Sequence, residues 1–109
     1  ENIKVISVVD KYLEHPRIYI FENSGQPKIY ISSADWMTRN FENRIEVSCP
    51  IYDTNLQNQI LDTFNISWLD NVKSRLVNDY KEKNMTKKNI MNRRSQFETY
   101  EYFKNLTHK

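Results

Sequence analysis

Short runs of β-branched and apolar residues fill the first half of the chain. Four such runs occur, at residues 3–9, 17–22, 28–33 and 44–48. Runs of about four to eight residues rich in Val, Ile, Tyr and Phe are typical of strands. The pattern therefore predicts four strands, and the last of them, RIEVS, ends near Pro50.

Helical spacing of apolar residues replaces this pattern further along the chain. Over residues 54–69 one helix face collects Leu56, Ile60, Leu61, Phe64 and Trp68. Asp53 precedes this run and is a suitable N-cap, because its carboxylate can accept hydrogen bonds from the unpaired amides of the first turn. Residues 71–80 predict a second helical stretch.

The character of the chain changes again at residue 81. Residues 81–94, KEKNMTKKNIMNRR, are polar and basic and predict a loop or linker. Such segments are usually solvated, and contact with a polyanion is the alternative. A last helix over residues 95–107 begins at Ser95, and Glu98 three residues later completes a capping-box pattern.

Strands come first and helices later, which predicts one layered domain of the α/β or α+β class. Two of the strands flank the segment NSGQP and form a β-hairpin. Gly25 can adopt a positive φ in this turn, and Pro27 has no amide to donate to a ladder.

The turn also predicts the register of the hairpin. If residue 22 faces residue 28, the numbers of paired residues add to 50. One face of the hairpin then carries Tyr19, Phe21, Ile29 and Ile31, and the other carries Ile18, Ile20 and Tyr30. Both faces are apolar, so we expect both to be covered, with the sheet between two layers.

Polar residues gather at the open end of this hairpin. In the predicted register Arg17 lies opposite Ser33, and His15 lies opposite Asp35, with Cβ atoms ~5 Å apart. Arg17 offers a planar fork of donors to phosphate oxygens, and Ser33 adds a neutral donor. His15 can bind as a cation or act as a general acid near neutral pH. Asp35 or Glu14 can orient the imidazole and raise its pKa.

A surface ion-pair cluster explains the same residues equally well on spacing alone. Arg39 and Arg44 follow closely in the sequence and can add positive charge to either arrangement. Trp36 and Met37 fit core or rim positions better than they fit a ligand platform.

Composition narrows the class of function. The 109 residues carry a net charge of +2, with one cysteine and one glycine. Because Gly25 is the single glycine, the glycine-rich phosphate loops of P-loop and Rossmann proteins are excluded. Cys49 cannot form an internal disulfide, which suits a reducing compartment. No apolar run approaches the ~20 residues that span a bilayer. The chain opens on Glu1, and we expect it to be a piece of a longer protein.

Three motifs resemble a known family. The run YLEHPRIYIFEN, the block YISSADWMTRN and the segment NRIEVSCPI resemble the last catalytic domain of bacterial polyphosphate kinase, over roughly residues 2–80. The resemblance implies half of a phospholipase D-like fold, in which an α/β arrangement has a mixed sheet covered by helices. His15-Pro16-Arg17 is similar to the His-x-Lys pair of that superfamily, with Arg in place of Lys. Ser32-Ser33-Ala34-Asp35 is similar to its Gly-Ser-x-Asn segment, and Glu22 falls where an Asp is common.

The resemblance also implies an activity for the parent enzyme. Polyphosphate kinases reversibly transfer the terminal phosphate of ATP to inorganic polyphosphate, through a phosphohistidine in a preceding domain. His15 is then the second active-site His, which contacts phosphate and protonates the leaving group, and Arg44 binds the nucleotide phosphates. We expect Arg17 and Ser33 to bind phosphate as well, and Asp35 to orient His15. Without the preceding domain the isolated chain is expected to be inactive.

Cofactors and partners follow from the same resemblance. ATP, ADP and inorganic polyphosphate are the implied substrates, and Mg²⁺ is the implied cofactor, bound mainly outside this segment, so no metal ligand is expected here. The implied partners are the preceding domains of its own chain and further copies in a homo-oligomer, without nucleic acid or a transmembrane segment. The implied location is cytoplasmic, with membrane association of the full-length enzyme left open. Two alternatives remain: half of a phospholipase D-like phosphodiesterase, and a non-catalytic domain that binds a polyanion or a protein partner.

Overall fold

The computed structural model of the chain describes residues 2–78, 81–84 and 91–107. Within these residues the strands are β1 Ile6–Val8, β2 Ile18–Phe21, β3 Lys28–Ser32, β4 Ser48–Ile51, β5 Ser74–Asn78 and β6 Lys81–Asn84. The helices are α1 Thr38–Asn43, α2 Thr54–Trp68 and α3 Ser95–Thr107. The chain falls into two compact units, Glu14–Ile60 and the combination of Glu1–Leu13 with Leu61–Lys109.

The unit Glu14–Ile60 is built on a three-stranded sheet of order β2-β3-β4. Both strand pairs are antiparallel, and so are both pairs of the other sheet, of order β1-β5-β6. The expected mixed sheet is therefore wrong for the described residues. The α/β class is retained, with two small antiparallel sheets and three helices in the part of the chain that the structure describes.

The hairpin register differs by one residue from the prediction. Ile18 pairs with Ile31 and Phe21 with Lys28, so Glu22 leaves the ladder and joins the turn. Its carboxylate accepts hydrogen bonds from two backbone amides of the turn, those of Ser24 at 2.9 Å and Gly25 at 2.7 Å. Glu22, which falls where the superfamily commonly has an Asp, therefore stabilises the turn in this chain.

Three successive residues of this turn have positive φ: Asn23 at 49°, Ser24 at 55° and Gly25 at 82°. The prediction for Gly25 is confirmed, and the other two residues adopt the same left-handed region, which glycine tolerates best. The lengthened turn is the physical reason for the register difference, because turn geometry and loop length set the register of a hairpin.

A shift of one residue exchanges the faces of the strands. Ile18, Ile20, Ile29 and Ile31 now share one face, and Tyr19, Phe21 and Tyr30 share the other. Ile29 is fully buried, but Phe21 is 56% exposed and Ile31 is 43% exposed. The expectation that both faces are covered is therefore wrong for this chain, since each face retains an exposed apolar side chain.

The fourth strand begins later than predicted. Residues 38–43 form α1, which the sequence interpretation missed, and β4 covers Ser48–Ile51 in place of residues 44–48. Pro50 lies inside β4 and pairs with Tyr30. A proline is tolerated there because β4 is an edge strand of its sheet, so its missing amide breaks no second ladder.

The predictions for α2 are confirmed. The helix covers Thr54–Trp68, and the amide of Leu56 donates to Oδ1 of Asp53 at 2.9 Å. The carbonyl of Asp53 accepts from the amide of Gln57 at 2.9 Å, as the N-cap residue of a helix does.

The predicted helix over residues 71–80 is wrong, because residues 74–78 form β5 between β1 and β6. Strand β6, Lys81–Asn84, lies within the segment predicted as a linker, and residues 85–90 of that segment lie outside the described residues. The segment SRLVN forms a strand because β1 pairs with it. Contacts with distant residues commonly determine the conformation of such short apolar runs.

Helix α3 begins at Ser95 as predicted, but without the capping box. The Ser95 amide donates to Oδ2 of Asp70 at 2.7 Å, and Glu98 forms an ion pair with Arg93 at 2.8 Å. Asp70 therefore does the capping that Glu98 was expected to share.

Asp70 is the central carboxylate of this unit, although nothing in the sequence interpretation singled it out. It is 1% exposed, and Oδ1 accepts from the amides of Val72, Lys73 and Ser74 at 3.0, 2.7 and 3.0 Å. Burial, the largest influence, acts to raise the pKa of Asp70. Hydrogen bonds from Ser95, Lys73 and Val72 outweigh burial, so the pKa lies below its ordinary value. The carboxylate thus joins the start of β5 to the start of α3.

Candidate functional site

The predicted site residues lie in the unit Glu14–Ile60, around the open end of the hairpin. Arg17 precedes β2, and Ser33 and Asp35 follow β3. The amide of Ser32 donates to the carbonyl of Arg17 at 2.8 Å, which extends the observed register by one step. Arg17 therefore lies opposite Ser32, and the predicted opposition of Arg17 and Ser33 is wrong.

The Asp35 carboxylate is held by Arg17. Nε of Arg17 donates to Oδ1 of Asp35 at 2.6 Å, with the two side chains 28% and 37% exposed. This hydrogen bond, ahead of every other influence, lowers the pKa of Asp35 and raises the pKa of Arg17. The ion pair thus keeps both groups charged across the physiological range of pH.

His15 lies close to this pair without being bonded to Asp35. Its carbonyl accepts from Nη1 of Arg17 at 3.4 Å, and its charge contributes to lowering the pKa of Asp35 after larger effects from Arg17 and Arg39. The prediction that Asp35 orients the imidazole directly is wrong in this structure. The alternation of side chains that placed the two residues opposite each other holds only within the ladder, and both residues lie beyond its end.

Ser33 is committed to the segment that leads into β4. Its hydroxyl donates a short hydrogen bond to Oε2 of Glu46 and accepts from the Val47 amide at 3.0 Å. The Ser33 amide donates to the Val47 carbonyl at 3.0 Å. Because the hydroxyl proton goes to Glu46, Ser33 positions a carboxylate and has no hydroxyl proton left for a phosphate.

Glu46 is the main residue of the site that the sequence interpretation missed. Besides Ser33, it accepts at Oε1 from Nδ2 of Asn40 at 2.6 Å. The hydrogen bonds from Ser33 and then Asn40 lower its pKa, with further contributions from the charges of Arg44 and Arg17. A charged residue within the apolar run RIEV was the available signal, because a carboxylate there needs partners once the chain folds.

Three side chains of this region remain uncommitted. His15, Arg39 and Arg44 are exposed, and none of them makes a side-chain hydrogen bond or ion pair with a residue that the structure describes. The charges of His15 and Arg39 reach Asp35, and that of Arg44 reaches Glu46. Two anchored carboxylates thus have cationic or protonatable groups beside them whose donors can reach an anion.

Aromatic side chains border the cluster. Nε1 of Trp36 donates to the hydroxyl of Tyr19 at 3.0 Å, and its ring meets that of Phe41 edge to face at 6.3 Å. Trp36 is 80% exposed, which excludes the core position for this residue and agrees with a rim position. It lines a depression of about 250 Å³ together with Arg17 and Asp35.

Metal ligands and membrane spans are both missing from residues 2–78, 81–84 and 91–107. Among these side chains there is no group of three or more His, Cys, Asp or Glu that could hold a metal ion. In the same part of the chain no helix has the length and apolar character required to cross a bilayer.

Comparison with known proteins gives consistent matches. The family model described as "Polyphosphate kinase C-terminal domain 2" matches residues 1–97. The polyphosphate kinase of Vibrio parahaemolyticus serotype O3:K6 is 48% identical over 107 residues, which are 97% of this chain and 15% of that protein. The polyphosphate kinase of Escherichia coli strain K12 is 46% identical over 107 residues, covering 97% of this chain and 16% of that protein.

A solved structure agrees with the sequence matches. The crystal structure of polyphosphate kinase from Porphyromonas gingivalis matches with a TM-score of 0.91 and 40% identity, covering 95% of this chain and 16% of that one. The fold is thus a small α/β domain with antiparallel sheets that recurs as a portion of larger kinases. More particularly, the chain belongs to the polyphosphate kinase C-terminal domain 2 family.

The family prediction is therefore confirmed. The match reaches residue 97, beyond the predicted limit near residue 80, so the basic segment belongs to the family domain. The chain spans about 15–16% of the length of the relatives named above. The likeness to half of a phospholipase D fold stays a prediction.

Proposed function

We propose that this chain is the part of a polyphosphate kinase that binds phosphate groups and assists the leaving group during transfer of the terminal phosphate of ATP to polyphosphate. The observation that supports the proposal is the set of exposed, uncommitted side chains of His15, Arg39 and Arg44 beside two anchored carboxylates. The nucleophile in this proposal is a histidine of a preceding domain, which receives the phosphate before the polymer does.

Transfer of a phosphoryl group demands little covalent help from this part of the enzyme. Positioning and neutralisation of the developing charge supply most of the rate enhancement in such reactions. Arg44 is the best candidate for the nucleotide phosphates, since its guanidinium is free among the described residues and has five N–H donors.

His15 has a different role from the arginines. A guanidinium keeps its proton at any physiological pH, whereas an imidazole can give one up near neutrality. His15 in its protonated form can therefore bind the phosphate oxygen of the departing ADP and transfer a proton to that oxygen. In the reverse direction the neutral imidazole accepts that proton again.

The other predicted residues take revised roles in this proposal, and the contacts of their side chains support the revision. Nε of Arg17 donates to Asp35 and one N–H of Nη1 donates to the His15 carbonyl, so Nη2 and the second N–H of Nη1 remain for phosphate oxygens. Asp35 accordingly orients Arg17 rather than the imidazole. Ser33 acts through Glu46 instead of binding phosphate directly.

Magnesium is implied for the parent enzyme, since divalent cations bridge and neutralise the phosphates in kinases. The described residues offer no cluster of carboxylate and imidazole ligands that fits the ion. We therefore assign no step of the reaction in this domain to a metal.

The proposal is tested in the full-length protein with γ-labelled ATP and, separately, with an activated phosphodiester. Label should move into an acid-precipitable polymer, and the diester should stay intact. Arg44→Ala should abolish most of the transfer, and Asn58→Ala at an exposed position of α2 is the matched control. Hydrolysis of the diester without polymer formation would contradict the kinase and support the phosphodiesterase alternative.

A further inference from the structure

Glu46 owes its position to Asn40, a buried residue of α1. Asn40 is 2% exposed, and its Nδ2 donates to Oε1 of Glu46 at 2.6 Å. Ser33 holds the other carboxylate oxygen, Oε2. Each oxygen of Glu46 therefore has its own neutral donor, and the two donors come from different segments of the chain.

The burial of Asn40 carries a cost that needs a reason. Its Oδ1 is buried and has no hydrogen-bond partner among the residues that the structure describes. An unpaired buried amide oxygen is unfavourable, and an apolar side chain of similar size would avoid the loss. The chain nevertheless places an amide here, and the group that this amide contacts is the carboxylate of Glu46.

Glu46 in turn has two cations near it. The charge of Arg44, from the connection between α1 and β4, reaches Glu46, and so does the charge of Arg17, which precedes β2. Asn40 and Ser33 are the neutral groups that contact it. A carboxylate that stays ionised and fixed in this position acts on the charges of both guanidinium groups.

We propose that Asn40 is a positioning residue for phosphate transfer: by holding the Glu46 carboxylate in a fixed position, it keeps a negative charge beside Arg44 and Arg17, the cations that face the phosphates. This inference rests on the proposed function for its catalytic consequence, although the link between Asn40 and Glu46 stands on geometry alone. The role requires an amide donor, because a carboxylate at residue 40 would repel Glu46 or share a proton with it.

The first test uses the unmodified chain and needs no variant. The side-chain amide signals of Asn40 are followed by NMR while the Glu46 carboxyl carbon is titrated. If the amide donates to the ionised carboxylate, the Asn40 signals move with the same midpoint as Glu46. Asn58, an exposed amide on α2, is the control and should show no such inflection. Asn40 signals that ignore the titration of Glu46 would overturn the proposal.

The second test compares variants at residue 40 with matched variants at residue 58. Loss of the donor in Asn40→Ala should raise the titration midpoint of Glu46, and Asn40→Asp should raise it further, by about one pH unit or more. Asn58→Ala and Asn58→Asp should leave it unchanged. An unchanged midpoint in folded Asn40→Ala contradicts the inference, and if both variants at residue 40 fail to fold, the titration of the unmodified chain decides.

The third test measures the parent enzyme. In Asn40→Ala the acidic limb of the kcat/KM profile should move to higher pH with the midpoint of Glu46, a change that mere loss of stability would not produce. A shifted midpoint without any polyphosphate synthesis by the unmodified enzyme would refute the proposed function and leave the role of Asn40 in fixing Glu46 intact. Normal polyphosphate synthesis by the unmodified enzyme, together with an unshifted Glu46 midpoint in Asn40→Ala, would refute the role of Asn40 and leave the proposed function intact.

Discussion

Two Arg–Asp pairs of this chain show how similar interactions serve different ends. In the unit Glu1–Leu13 with Leu61–Lys109, Arg94 holds Asp10 with three hydrogen bonds: Nε donates to Oδ2 at 2.8 Å and to Oδ1 at 3.2 Å, and Nη2 donates to Oδ1 at 2.6 Å. In the unit Glu14–Ile60, Arg17 holds Asp35 with the single bond from Nε at 2.6 Å. The first pair uses a fork of the guanidinium on both carboxylate oxygens, and the second leaves part of the guanidinium unused.

The two ion pairs also differ in how far their carboxylates are buried. The Asp10 side chain is 1% exposed, and the Arg94 guanidinium lies 4.3 Å from the centre of the Phe97 ring, where a cation is attracted to the aromatic face. Asp35 is partly exposed and has the charges of His15 and Arg39 nearby. A completed pair stabilises the fold, whereas an incomplete pair with surplus cations can accept an anion.

The basic segment over residues 81–94 shows the same distinction between paired and unpaired charge. Its last two arginines are the partners of Glu98 and Asp10, so these two charges contribute to the fold. The sequence predicted a solvated segment here, with contact to a polyanion as the alternative, but the uncommitted arginines of the described residues, Arg39 and Arg44, follow the hairpin. Among the described side chains, pairing with a carboxylate therefore distinguishes Arg93 and Arg94 from Arg39 and Arg44.

The largest expected effect is on His15, which distinguishes proton donation from simple positive charge. In the full-length enzyme His15→Ala and His15→Lys should each lose on the order of 100-fold or more in phosphate transfer, because a lysine with a pKa near 10 holds its proton at neutral pH. Single-turnover phosphorylation with labelled ATP across pH measures this. Wild-type rates in His15→Lys would leave only an electrostatic role, and wild-type rates in His15→Ala would restore the surface-cluster interpretation.

The next effect concerns Arg44, an uncommitted arginine. Arg44→Ala should lower kcat/KM roughly 10- to 100-fold through lost charge stabilisation, while the melting temperature stays the same because Arg44 makes no bond that the described structure would lose. Arg44→Lys should recover part of the rate. Kinetics and a thermal melt on the same preparations give both quantities, and a large drop in melting temperature would show that Arg44 supports the fold.

Arg94 should behave in the opposite way. Arg94→Ala leaves the buried Asp10 carboxylate without its partner, so the melting temperature should fall by several degrees. Transfer activity per folded molecule should stay within about twofold, because the guanidinium is committed to Asp10 and its loss acts on the fold. Thermal melts followed by circular dichroism and activity assays below the melting range test this, and a stable but inactive Arg94→Ala enzyme would break the comparison.

A smaller effect is expected from pH. The pKa of Asp70 is lowered in the folded chain, so its contribution to stability is present above its ordinary value near 3.8 and is lost as pH falls through the folded-state pKa. Asp70→Asn should therefore lower the melting temperature at pH 7, and the difference from wild type should narrow below about pH 4. Asp35→Asn, at a more exposed carboxylate, should give the same sign with a smaller difference. A constant difference at every pH would rule out ionisation as the cause.

Some of this organisation could be predicted from the sequence. Periodic apolar residues and the Asp53 cap predicted α2 correctly, because both signals are local. The family motifs identified His15, Arg17 and Arg44 as candidates, because each motif is a contiguous stretch of the chain. Local chemistry, such as the positive φ of Gly25, was also within reach.

The remainder depended on contacts between distant residues and on the geometry of one turn. The carboxylate of Glu22 stabilises a turn that moves the hairpin register by one residue from the predicted one. As a result Ser32, and not the predicted Ser33, lies opposite Arg17. Strand β5 forms because β1 pairs with it, and α3 is capped by a carboxylate 25 residues away in sequence. The order of apolar and polar residues within a short stretch of sequence contains no information about these contacts.

The division between an open and a completed cluster is tested most directly by binding of short-chain polyphosphate to the chain itself. Calorimetry at low and high salt is performed on wild type, Arg44→Ala and Arg94→Ala, two variants that lose the same charge. We predict weak binding that declines with salt, as screening requires, and that Arg44→Ala weakens it several-fold more than Arg94→Ala at a temperature where all three are folded. Equal weakening by both variants, or tighter dependence on Arg94, would contradict the assignment of phosphate binding to the cluster around His15 and Arg44.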